Sequence, residues 1–254
     1  VRILYVHVAR TGGTSLNRFA ASQLRKGQYV AHLEHVPEAQ RSEHVRRRSY
    51  ISGHVRYEVL KEQLDVGAFV KVVTFRRPID QIISHLAWVR RLAEAAQARQ
   101  YANAMPHTQE LSRDLSHADL SDPTQLSRLV AGLDDRQLRL LDNTQTRYVC
   151  RKRVGRRVVE GDLQTAFTNL DEFELVGITE QFGELLRSVC ELMGWKPPRA
   201  APRENVSACK YGLDPERPEL RAALQPLITY DEALYERACQ RCARRRTAGG
   251  AGAR

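Results

Sequence analysis

Two apolar runs in this chain break off in the same unusual way, and that pattern limits its fold more than anything else. Residues 2–8 hold a short, largely apolar run from Ile3 to Val8, and it gives way to Arg10-Thr11-Gly12-Gly13-Thr14-Ser15. Residues 68–75 (AFVKVVTF) stop at Arg76-Arg77-Pro78. A helix-period segment follows each break: Leu16, Phe19, Ala20 and Leu24 after the first, and residues 79–93 behind Pro78 after the second. A short apolar run closed by turn residues reads as a strand buried on both faces. Residues 50–54 before a helical 57–64, and residues 173–178 before a helical 180–193, continue the rhythm. Strands alternating with helices imply an α/β fold with a central, mainly parallel sheet flanked by helices.

The rest of the chain is less patterned. Residues 97–122 are polar and are expected to form an irregular or short-helical insertion beside the site. Residues 151–159, basic around Gly155, suggest a hairpin, and residues 220–246 a helical packing cap. The low-complexity stretch 247–254 reads as a disordered tail. The expectation is one domain over residues 1–246, ample for a sizeable core.

Several classes are set aside. No run of about 18 apolar residues occurs, so no membrane-spanning helix is expected. The apolar run 3–8 is too short for a signal peptide. The 254-residue chain has five cysteines, an odd and scattered set that fits reduced thiols and a cytoplasmic setting. Cys239-Gln-Arg-Cys242 lacks a second ligand pair at zinc-site spacing. No acidic metal-binding cluster presents itself, so no metal is expected.

Charge is more informative. Lys and Arg number 40 against 30 Asp and Glu, a net charge of +10, and arginine predominates. Such a surface attracts polyanions, and arginine suits phosphate and sulfate oxygens in particular. The basic clusters at 46–48, 151–157 and 244–246 are separated and lack interleaved aromatics. No specific nucleic-acid partner is expected from them.

The first turn has the makings of an anion cradle. Glycines let backbone N–H groups wrap an oxyanion, and the following helix adds its positive end. Thr11, Thr14 and Ser15 supply hydroxyls, and Arg10 supplies a full charge. A Walker A loop would carry a lysine before its Ser/Thr, and this loop is shorter and lacks it. In the second turn, Arg76 ends a strand and Ser84 follows in the next helix, a cation and a hydroxyl suited to a second phosphate.

Taken in order, these segments resemble the sulfotransferases that use 3′-phosphoadenylyl sulfate (PAPS), in particular the carbohydrate type related to heparan sulfate 2-O-sulfotransferase and its bacterial relatives. Ala9-Arg10-Thr11-Gly12-Gly13-Thr14-Ser15 stands where that family has PKTGGTS, and Arg76-Arg77-Pro78 with Ser84 stands where it has R-D-P and a serine. Gly53-His54-Val55-Arg56-Tyr57 matches a G-H-x-x-Y segment. Residues 143–147 (NTQTR) and 173–182 (FELVGITEQF) look like later family segments, so the resemblance runs from about residue 3 to about residue 195.

The resemblance implies a P-loop-like three-layer fold and in-line transfer of a sulfuryl group from PAPS to a hydroxyl of a glycan or glycoconjugate, leaving 3′,5′-ADP. Arg10 and residues Thr11, Gly12, Gly13, Thr14 and Ser15 would hold the 5′-phosphosulfate, and Arg76 and Ser84 the 3′-phosphate. His54 would be the base, and Arg147 a contact to the acceptor or cofactor, with a structural ion pair the equal alternative for it. Asn205, Ser207 and Lys210 lie where the family closes a loop over the nucleotide. Two departures stand out: Arg10 replaces a lysine, keeping charge but not its point-like geometry, and Arg77 replaces an acid. A P-loop phosphotransferase and a non-catalytic nucleotide- or anion-binding module are the alternative readings.

Overall fold

In the computed structural model, which describes residues 1–150, 157–200 and 211–251, the first strand, β1 (Ile3–Val6), shows why the apolar run is continuous. Ile3 and Tyr5 enter one core and Leu4 and Val6 another, so both faces of the strand are buried. It lies at the centre of a sheet with β2 (Tyr29–Val30), β3 (Tyr50–Gly53), β4 (Val70–Phe75) and β5 (Leu175–Ile178). The order is β2-β3-β1-β4-β5, and every pairing is parallel. The expected α/β class with a parallel sheet is what forms.

Helices cover both faces. Helices Gly13–Gln23 and Phe182–Met193 pack Leu16, Ala20, Leu185 and Val189 against the Ile3–Tyr5 face. Helices Tyr57–Gln63, Glu160–Asp171 and Thr229–Ala251 bring Leu60, Leu163, Leu170 and Leu234 to the other. The result is three layers.

A second core gathers on helix Pro78–Arg91, where Ile79, Ile82, Ile83 and Leu86 meet Leu111, Leu115, Leu126, Val130, Leu220 and Leu224. Segment 97–122 forms short helices over Ala98–Ala102 and Pro106–His117, the short-helical form of the expected insertion. Leu111 and Leu115, four apart, put one apolar stripe on an otherwise polar helix, and Pro106 starts it with its φ already helical. The last helix, Thr229–Ala251, runs into the segment read as a low-complexity tail. Most of the expected 151–159 hairpin lies outside the described residues, as do Asn205, Ser207 and Lys210.

Register positions the site. Val6 pairs with Gly53 of β3 and with Val73 of β4, so the carboxyl ends of three adjacent strands lie together. From β1 the chain departs toward β2 and β3, and from β4 toward β5. Connections that diverge from neighbouring strands open a crevice at their carboxyl ends, where ligands of such sheets bind. Among the described residues no helix is long and apolar enough to cross a membrane.

Candidate active site

The turn after β1 is held by its carbonyls. Thr11 Oγ1 donates to the Val8 carbonyl (2.9 Å), and Gln81 Nε2 to that of Ala9 (3.0 Å). Arg76 Nη1 donates to the Arg10 carbonyl (3.3 Å), and Thr179 Oγ1 to that of Thr11 (2.8 Å). These bonds hold Arg10 at φ 66°, a left-handed conformation that costs a non-glycine residue about 1–2 kcal/mol. Gly12 takes φ 90° beside it. At Gly13 a Cβ would stand 2.0 Å from His7 Cδ2, so the helix start and His7 pack too closely for any side chain. The Ser15 N–H donates to the Gly12 carbonyl (3.0 Å), closing the first turn, and the start of helix Gly13–Gln23 carries the positive end of the helix.

Arg10, Arg76 and Ser84 come together as the sequence suggests. Arg10 Nε donates to Ser84 Oγ (3.1 Å), which leaves the serine's own proton for another acceptor. Gln81 and Ser84, three apart, share the helix face that meets the turn. Burial, then the charges of Arg91 and Arg76, push Arg10 down to about 10. Burial likewise lowers Arg76, although Asp80 and Glu180 oppose it. Half-buried like charges of this kind are relieved by an anion. Arg77 is not one of them, being engaged by Asp80 (2.5 Å) and Glu216 (3.0 Å).

One strand away, His54 follows β3. Its backbone N–H donates to Glu34 Oε2 (2.8 Å), and its ring Nδ1 lies 2.8 Å from the His7 carbonyl. A carbonyl only accepts, so Nδ1 carries the proton and the neutral ring keeps its lone pair on Nε2. The His7 ring lies against it at 4.0 Å between centroids, and the Tyr148 hydroxyl is 3.3 Å from Nδ1. His54 is exposed, yet enough protein surrounds it that desolvation lowers its pKa, with the Glu34 charge and the His7 carbonyl opposing. His7 is buried and held well below the usual imidazole range by burial and then by His54. The base candidate thus rests on a neutral neighbour.

The remaining expected residues divide. Thr14 is partly exposed at the helix start, and Ser15 is buried there. Thr11 is fully buried and gives its proton to the loop, which makes it a brace rather than a ligand donor. Arg147 is not brought to the crevice: it is 2% exposed and pairs with Asp142 (2.7 Å), a buried ion pair that Arg157 joins from the other carboxylate oxygen (3.2 Å). Sequence reasoning gave no site role to Gln81, Glu34, Gln145 or the His7 carbonyl. Only Gln81 left a usable signal, its helical spacing from Ser84. Among the described residues, no group of His, Cys, Asp and Glu is arranged to hold a metal ion.

Compared with known proteins, the chain matches no family model and no curated protein at a significant level.

Proposed function

We propose that the chain transfers a sulfuryl group from PAPS to a hydroxyl of a glycan or glycoconjugate. The observation that carries this reading is the convergence of Arg10, Arg76 and Ser84 at the sheet's crevice, with a neutral-ring histidine one strand away. The donor set fits such a ligand: two guanidiniums, a serine proton and helix amides are all donors, suited to anionic groups. When bound, PAPS supplies the sulfuryl group and departs as 3′,5′-ADP.

Arg76 and Ser84 would hold the 3′-phosphate. Arg10 and the positive start of helix Gly13–Gln23 would bear the charge that grows on the 5′-phosphate oxygen as its bond to sulfur breaks. His54 Nε2 would take the acceptor proton as the acceptor oxygen bonds to sulfur. The Nδ1 hydrogen bond to His7 keeps that lone pair on the correct nitrogen throughout.

A second reading, a non-catalytic anion binder, draws support from one feature: Arg10 replaces a lysine and directs Nε to Ser84. Thermal protection by 3′,5′-ADP, ADP and Mg-ATP, together with transfer of labelled sulfate to sugar acceptors, tests the proposal. Protection by 3′,5′-ADP and label on the acceptor are expected. Protection by Mg-ATP with none from 3′,5′-ADP would overturn it in favour of a phosphotransferase. Binding of 3′,5′-ADP without any transfer would favour the binder.

A further inference from the structure

At Arg76 a side chain does the work of a missing strand. The pairing of β4 with β5 ends at Phe75 opposite Ile178. One residue on, the Gln145 amide takes both backbone groups of Arg76: Oε1 accepts from its N–H (2.8 Å), and Nε2 donates to its carbonyl (2.9 Å). Gln145 is fully buried, so water does not compete for either bond.

Gln145 is itself fixed from far along the chain. It lies in the first turn of helix Thr144–Val149, and the Asp231 carboxylate accepts from the N–H groups of Gln145 (3.1 Å) and Thr146 (2.7 Å) and from the Thr146 hydroxyl (2.8 Å). In return Asn143 Oδ1 accepts from the N–H groups of Tyr230 (2.7 Å) and Asp231 (3.1 Å), at the start of helix Thr229–Ala251. The two helices cap one another, and Asn143 reaches this arrangement in a left-handed conformation, φ 45°.

We infer that Gln145, seated by Asp231, is a positioning residue that fixes the Arg76 backbone and so aims its guanidinium into the anion crevice. The inference rests on the reading that Arg76 grips an anionic group of the ligand. A guanidinium stands several bonds from its Cα, so a small backbone rotation at Arg76 carries it out of hydrogen-bond range. Misplacement of about 1 Å is enough to cost on the order of 10²-fold in a positioned site. An apolar residue at 145 would fill the space but leave both Arg76 backbone groups unpaired.

A double-mutant cycle on the full chain, read by calorimetric titration with 3′,5′-ADP and with 5′-AMP, tests this. Gln145→Ala is expected to weaken 3′,5′-ADP roughly tenfold while moving 5′-AMP much less, and to add nothing once Arg76→Ala is present. Gln145→Glu keeps the acceptor for the Arg76 N–H and loses the donor, so an intermediate affinity is expected. That size-matched variant carries the cycle should Gln145→Ala lose its cooperative melt. Equal weakening of both nucleotides, full additivity with Arg76→Ala, or unchanged affinity overturns the inference. Failure of the unmodified chain to bind 3′,5′-ADP would sink the sulfotransferase reading alone; the cycle is then run with inorganic pyrophosphate, where non-additivity supports the inference and additivity overturns it.

Discussion

Arg10 Nε donates to the Ser84 hydroxyl across 3.1 Å, so the turn after β1 and the helix after β4 are joined side chain to side chain. The serine steadies the guanidinium and, under the proposed function, keeps a proton for the ligand. Replacing it should therefore cost more than a single neutral hydrogen bond. Ser84→Ala is expected to weaken 3′,5′-ADP roughly tenfold by titration calorimetry, with little change in melting temperature. An unchanged titration would remove Ser84 from the anion grip.

The packing of His7 on the glycine turn gives a sharper stability test. A Cβ at Gly13 would stand 2.0 Å from His7 Cδ2 and 2.2 Å from Nε2, a ring already stacked between Tyr5 and His54. Overpacking of this kind costs about 1–3 kcal/mol, so Gly13→Ala should lower the melting temperature by several degrees. Gly183, where a Cβ meets nothing within 4 Å, is the control. Gly183→Ala should be neutral or stabilising by less than about 1 kcal/mol. Equal melts for the two variants would refute the packing argument.

The acid limb of transferase activity should report His54. Its pKa lies below the ordinary imidazole value because the surrounding protein desolvates the ring, while the Glu34 charge pulls it upward. Glu34 is held ionised by hydrogen bonds from its own backbone, His32 and His54, which outweigh its burial. Removing that charge with Glu34→Gln takes away an upward pull, so His54 protonates at lower pH. The acid limb of kcat/KM should move to lower pH, with the alkaline side unchanged. A limb that stays put, or moves up, counts against His54 as the titrating base.

Acid should destabilise the fold through its buried imidazoles. His85 is 2% exposed and burial pushes it down to about 3; His7 is lowered in the same way. In the unfolded chain both take up protons near pH 6.5. Below that pH the unfolded state binds protons that the native state refuses, so stability falls as pH drops from about 6.5 toward 3. The loss from His85 alone is on the order of a few kcal/mol. Asp231, raised to about 7 by burial, works against this by gaining its proton first in the native state. Urea midpoints between pH 7 and 4 check the balance: His85→Leu should flatten the slope, and an identical slope would refute it.

Much of the frame was legible because buried parallel strands advertise themselves. The runs containing β1 and β4 are mostly apolar and break at turns rich in glycine or proline, and a strand end is where such sheets bind ligands. That logic brought Arg10, Arg76 and Ser84 together correctly. Tyr29–Val30 escaped because two residues show no period. Helix Pro106–His117 escaped because its apolar stripe is narrow in a polar background. For Arg147 the sequence left open a contact to ligand and a structural ion pair, and burial against Asp142 selects the ion pair. Gln145 lies within the NTQTR segment, but nothing local points to its partners, which lie 69 and 86 residues away at Arg76 and Asp231. Which buried amide meets which strand end is decided by packing across the whole domain.

That separation has a consequence for biogenesis. The backbone of Arg76 is set by Gln145, and Gln145 by Asp231, so the proposed anion grip depends on residues made long after it. Elements near the start of a chain fold early during synthesis, whereas long-range contacts wait for their partners. On the ribosome, the β1 and β4 turns would emerge as an incomplete cradle, and affinity for the ligand would arise only when the segment around Asp231 docks. Ligand capture would then mark completion of the domain.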